Sequence, residues 1–292
     1  MTRPQSYLWP DLSLLFAATM WGIFWYPLRL FESAGMPAIW VTLIAFLAAS
    51  AVGLILTAGR WREYFKKPKT LTIIALTAGW CNAGFLVAVV EGNVIRVILL
   101  FYLSPIWTVI LGHFILKEVI PFKAFIIFMV AFIGAMIMLW EPSIGLPWPQ
   151  GLADWLAISA GFSFALSNVL IRSLQSVSIP VKTTSTWLGC IVIAFFWVVF
   201  AQVDIPEIAP ATWTYSVLLG LFGIVFMSLS VQYGITHMPV YRSAIILLSE
   251  VIVTAVSAYW LASETLNLRE WTGGILVGVS ALMIASLSKQ NE

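Results

Sequence analysis

Residues 96–136, RVILLFYLSPIWTVILGHFILKEVIPFKAFIIFMVAFIGAM, run without a gap onto residues 242–282, RSAIILLSEVIVTAVSAYWLASETLNLREWTGGILVGVSAL. The shift carries Arg96 onto Arg242, Thr108 onto Thr254, Glu118 onto Glu264, Lys123 onto Arg269 and Ala135 onto Ala281. Working outward, a second offset relates Asp11 to Asp154, Ala17 to Ala160, Arg29 to Arg172, Ser33 to Ser176 and Pro37 to Pro180. Apolar segments align easily by chance, so these polar coincidences carry the weight. The chain reads as one unit written twice, residues 1–145 and 146–292, joined through Glu141–Gly151 into one membrane domain.

Of the 292 residues, 61% are hydrophobic and 10% charged, against about a quarter charged in soluble domains. Apolar runs recur at about 20 residues, the length that crosses ~30 Å of hydrocarbon. Ten helices are expected, at 12–31, 37–58, 71–90, 95–116, 121–140, 152–173, 181–202, 214–234, 242–262 and 267–288. Gly and Pro mark the breaks, among them Pro68, Gly92, Pro121, Pro180, Pro206–Pro210 and Pro239. The fold class is all-α and integral to the membrane, with no soluble domain. Asp11 before the first apolar run, and Phe31 ahead of Ser33-Ala34-Gly35, read as a retained helix rather than a signal peptide. Five crossings per copy is an odd number, so the copies lie upside down relative to one another. Many membrane carriers build one site that faces either side from such an inverted pair.

A net charge of +2 gives nucleic-acid binding no electrostatic support. Cys81 and Cys190 lie in apolar runs and read as small buried hydrophobes, not as a disulfide or metal pair. The Gly59–Thr70 loop holds Arg60, Arg62, Lys66, Lys67 and Lys69. Placing it in the cytoplasm puts both termini there. Lys and Arg then divide twelve to three, with Arg29, Arg96 and Arg269 on the far side, the expected positive-inside bias.

The repeated arginines, and the glutamates Glu118 and Glu264 that follow helices four and nine, read first as scaffolding. The glutamates would cap helices five and ten, where the dipole favours anions. With Trp21-Gly22 in helix one, Ser104-Pro105 in helix four, and the Gly134-Ala135-Met136 and Ser280-Ala281-Leu282 patterns, the chain resembles the drug/metabolite transporter superfamily of the EamA type. The resemblance covers nearly the whole length. It implies a secondary carrier of the bacterial inner membrane, similar to exporters of aromatic and other amino acids.

A carrier site belongs near the bilayer midplane, lined by polar groups that would be expensive against lipid. Glu250, at the position where the first copy has Ser104, is a carboxylate placed deep among Leu247, Leu248, Val251 and Ile252. It reads equally as a group for a substrate ammonium or a proton, or as a structural side chain bonded to another helix. Asn82, Asn168 and Gln232 are deep amides that bind substrate or join helices. Ser163, Ser167 and Asn168 make a polar stripe on helix six. Trp21 and Trp25 share a face of helix one, and Tyr102 and Ser249 complete a candidate ring. Gly273-Gly274-Gly278 allows close packing within the chain or in a homodimer.

No cofactor is called for, and no P-loop suggests ATP drive. Gly161-Phe162-Ser163-Phe164 with His237 could be nominated as an intramembrane protease, but proteolysis needs no inverted repeat. A receptor or scaffold would want a soluble domain. A nucleotide-sugar carrier would want Lys or Arg in the deep segments, where the sequence places none. A multidrug or other metabolite exporter, with Glu250 as the partner of a cation or proton, is the rival to amino-acid export.

Overall fold

The computed structural model describes residues 7–141, 148–262 and 266–287. Among these residues are ten helices long and apolar enough to cross a membrane: α1 Leu8–Ser33, α2 Ala38–Leu56, α3 Pro68–Glu91, α4 Val94–Leu116, α5 Phe122–Leu139, α6 Leu152–Ser173, α7 Ile179–Phe200, α8 Pro210–His237, α9 Val240–Leu261 and α10 Leu268–Leu287. Helix ends fall within four residues of expectation. The early start of α8 has a simple cause. Pro210 occupies a first-turn position, where a missing N–H costs nothing. The junction at residues 145 and 146, and Glu264, lie outside the described residues.

The two sets of five helices pack by exchange. Helix α1 lies on α8 and α9 just as α6 lies on α3 and α4; α3 lies on α7 as α8 lies on α2; and α2–α7, α4–α9 and α5–α10 are self-paired. Swapping the sets returns these same pairs, as expected of two repeats related by a pseudo-two-fold axis. Glycines set the tightest crossings. A Cβ on Gly189 of α7 would overlap the Ala75 carbonyl of α3, and Gly273 of α10 meets the Gly134 carbonyl of α5 in the same way. Gly273 therefore serves packing within the chain.

Several helices are interrupted. Pro27 has no N–H for the Ile23 carbonyl, and α1 breaks at Phe24. Pro105 likewise splits α4 into Val94–Phe101 and Ser104–Leu116. Helix α9 breaks at the mirrored place, between Leu247 and Ser249, without a proline; there the Val251 N–H turns back to Leu248. A π-helical turn, Leu219–Ile224, interrupts α8 where Gly220 reaches the Ala45 backbone of α2. Trp9, Trp61, Trp148 and Trp271 are exposed at helix ends, where aromatic belts sit.

Candidate functional site

The repeated charges find each other across the halves. Arg242, in the first turn of α9, binds Asp11 of α1 through the Nε–Nη2 edge of its guanidinium, its Nε 2.8 Å from Oδ1, and donates from Nη1 to the Ile284 carbonyl of α10 at 2.6 Å. Arg96, in the first turn of α4, binds Asp154 of α6 at 2.9 Å and Gln150 at 2.9 Å. The pairs exchange under the repeat and stand at opposite ends of the bundle. The Asp11 pair is buried, whereas the Arg96 side chain is 16% exposed. Beside the latter lies a cavity of about 550 Å³ lined by Glu91, Asn93 and Gln150 among others.

Near mid-bundle the Tyr102 phenol, within the break of α4, faces the carboxyl of Glu250, the second residue after the mirrored break of α9. The backbone of Glu250 packs on Gly22 of α1. The Trp25 indole donates to Ser257 at 2.9 Å, and Ser257 donates to the Gly22 carbonyl at 3.2 Å. Trp25 thus ties α1 to α9. Trp21 and Asn82 share a small cavity of about 30 Å³ between α1, α2, α3 and α8. Asn82 donates to the Ala78 carbonyl and toward Cys190 Sγ. Ser163, Ser167 and Asn168 are buried on α6, and Ser249 turns its hydroxyl back to the Ile246 carbonyl at 2.6 Å. Seven of the ten candidates therefore form a central pair, a small cavity wall and a stripe rather than one closed ring, while Trp25 binds Ser257, Ser249 bonds within its own helix and Gln232 bonds Thr186.

At the end bearing the Gly59–Thr70 loop, called here the basic end, sequence reading missed a cluster. Glu118 does not cap α5. It accepts the Val240 N–H at the start of α9 at 2.9 Å and faces Arg172 of α6 at 3.4 Å. The dipole argument holds, but for a different helix, because the chain between α4 and α5 folds across the end of α8. Arg172 and Gln175 both donate to the Thr236 carbonyl, at 2.6 and 3.1 Å. Lys182, in the first turn of α7, has no exposed surface. Its ammonium donates to Thr236 Oγ1 at 2.7 Å and to the Ile171 carbonyl at 3.2 Å. One turn deeper, Gln232 donates to Thr186 at 3.2 Å while its own side-chain oxygen is buried without a partner. The signal was the i, i+4 spacing of Lys182 with Thr186 and of Gln232 with Thr236, which puts each pair on one helix face.

The basic loop is itself docked. Glu63 accepts the Ser178 N–H ahead of α7 at 2.7 Å, and Lys66 donates to the Ser176 carbonyl at 3.2 Å. The hydrogen bond from Ser178 holds the Glu63 carboxyl below the ordinary range, against a smaller opposing effect of burial. The protease constellation is not assembled. Gly161 is small because the Phe101 carbonyl stands 2.7 Å from where its Cβ would be. Ser163 lies ten residues, about 15 Å, above the basic end of α6, while the Nδ1 of His237 sits against the Tyr233 carbonyl at the end of α8. Among the described residues no group of His, Cys, Asp and Glu could hold a metal ion.

The family model described as the EamA-like transporter family matches twice, at residues 8–140 and 151–286. An uncharacterized transporter of Pseudomonas aeruginosa is 22% identical over 196 residues, 64% of this chain; the chain spans 61% of that relative's length. A crystal structure described only as that of a protein superposes with a TM-score of 0.76 at 15% identity, over 96% of this chain and 98% of the other. At that identity the likeness shows the fold alone.

Proposed function

The chain belongs to the EamA-like transporter family, and from that premise we propose that it is a bacterial inner-membrane carrier that exports small amphipathic metabolites, amino acids including aromatic ones, by alternating access. The observation that carries this reading is the meeting of Tyr102 and Glu250 at two mirrored helix breaks. A carboxylate inside a membrane bundle is costly unless it serves a cationic partner, and an amino acid brings an ammonium. Trp21 and Asn82 nearby offer an aromatic wall and a neutral amide, which suit an apolar side chain and a polar head. The basic end, carrying the Gly59–Thr70 loop, faces the cytoplasm on this reading. The carrier acts in the lipid bilayer without a cofactor, alone or as a homodimer.

Glu250 also favours a second reading, export of cationic drugs or metabolites with proton exchange. Cells producing the chain, preloaded with labelled threonine, methionine, phenylalanine or tryptophan, test the first reading: label should leave faster than from cells without it. Label that leaves no faster for all four, with accelerated loss of an organic cation, would overturn amino-acid export in favour of the second reading. Glu250→Gln in the same cells should lower the flux; an unchanged flux across pH 5 to 8 would return Glu250 to a structural role.

A further inference from the structure

The inverted repeat is broken at one conspicuous place. At the basic end α7 and α8 meet through polar rungs, Lys182 with Thr236 and Thr186 with Gln232. The repeat carries Lys182, Thr186 and Gln232 onto Ile39, Leu43 and Leu86, and at that mirrored place these three lie in one apolar cluster. Symmetry of the fold therefore does not require the rungs.

Nor does stability favour them. Lys182 has no exposed surface and no carboxylate among its hydrogen-bond partners. It stands in the first turn of α7, where the helix dipole disfavours a cation. Arg172 is close enough to repel it. The nearby carboxylate, Glu118, is engaged by Arg172 and the Val240 N–H. Lys182 is thus a buried cation beside Arg172 with no anion of its own, an arrangement that costs stability and attracts a negative group. About 6 Å along the axis, one helical turn away, the Gln232 oxygen waits for a donor.

We propose that this rung is the entry site for an amino-acid substrate at the basic end, Lys182 taking its carboxylate and the Gln232 oxygen its ammonium. The inference rests on the amino-acid reading above. A carboxylate is a stronger acceptor for an ammonium than the Thr236 hydroxyl and the Ile171 carbonyl it replaces. Its arrival draws Lys182 off α6 and α8 and frees the inner end of α7. Recognition and unlocking are one event, and the mirrored apolar contact at the far end sets no such condition for release.

The test compares phenylalanine with phenethylamine, the same molecule without its carboxylate, in proteoliposomes holding the full chain. The wild type should prefer phenylalanine. Lys182→Met should raise the KM for phenylalanine by about ten-fold or more and collapse that preference, whereas Gln232→Met should weaken both compounds. A preference kept by Lys182→Met overturns the site and leaves amino-acid export standing. Equal wild-type transport of the two compounds overturns it in the same way. Transport of neither overturns the site, and with threonine, methionine and tryptophan also untransported it sinks the amino-acid reading as well. If Lys182→Met is not monodisperse on gel filtration, Gln232→Met decides: weaker transport of both compounds supports the site, and unchanged transport overturns it.

Discussion

Replacing Arg242 with Met removes one partner of a buried ion pair and leaves the other in place. Asp11 then loses its cation with only 11% of its side chain exposed, and the Ile284 carbonyl loses a donor at 2.6 Å. Breaking a buried pair from one side costs about 3–5 kcal/mol, and the orphaned carbonyl adds about 1 kcal/mol. Taking out both charges, Arg242→Met with Asp11→Leu, should cost far less, because matched apolar replacements of buried pairs are near neutral. The mirrored Arg96→Met should be milder, about 2–3 kcal/mol. There Asp154 retains the Gln150 N–H at 2.8 Å, and Arg96 already touches solvent. Reversible unfolding in mixed micelles, titrated with denaturing detergent, gives all four values. Single and double replacements at Arg242 and Asp11 that simply add would refute the coupling, and a costlier Arg96→Met would refute the difference in burial.

Gly189→Ala should destabilise by about 3 kcal/mol through overlap with the Ala75 carbonyl, whereas Gly274→Ala, whose Cβ would meet only Met138 at 3.8 Å, should be neutral in the same unfolding assay. Trp25→Phe removes the bond to Ser257 and should cost about 1 kcal/mol, read as a lower melting temperature; no change would show the tie between α1 and α9 to be incidental. The Glu63 carboxyl is held below its ordinary value of 4.5 by the Ser178 N–H, so its contribution to stability is present above pH 4.5 and fades as pH falls through the lowered folded value. Melting temperatures of wild type and Glu63→Gln should therefore differ at pH 7 and converge in acid; a gap that widens in acid contradicts the assignment.

The ten helices and their inverted pairing were legible because membrane spans need long apolar runs and the polar repeat fixed their order. The partners of the repeated charges were not. Asp11 matches Asp154 and Arg96 matches Arg242 along the chain, yet the bonds run crosswise, Asp11 to Arg242 and Asp154 to Arg96. Only the packing of α1 on α9 and of α6 on α4 supplies that information. The break in α4 was readable from Pro105. Its mirror in α9 was hidden, because Val251 imposes no such break by itself. The burial of Lys182 was not readable for a related reason: it stands near a helix end, and its cover comes laterally from α6 and α8. Glu250 and Tyr102 were both candidates from depth, but that they face each other depends on the packing of α4 on α9.

Counterflow in proteoliposomes reaches the central claim most directly. Purified chain is reconstituted into vesicles loaded with unlabelled phenylalanine, and tracer phenylalanine is added outside. A carrier with one site that alternates between faces should accumulate tracer transiently above equilibrium, and should do so less with Glu250→Gln. Tracer that enters no faster than into protein-free vesicles, for phenylalanine, threonine, methionine and tryptophan alike, would contradict amino-acid export by this chain.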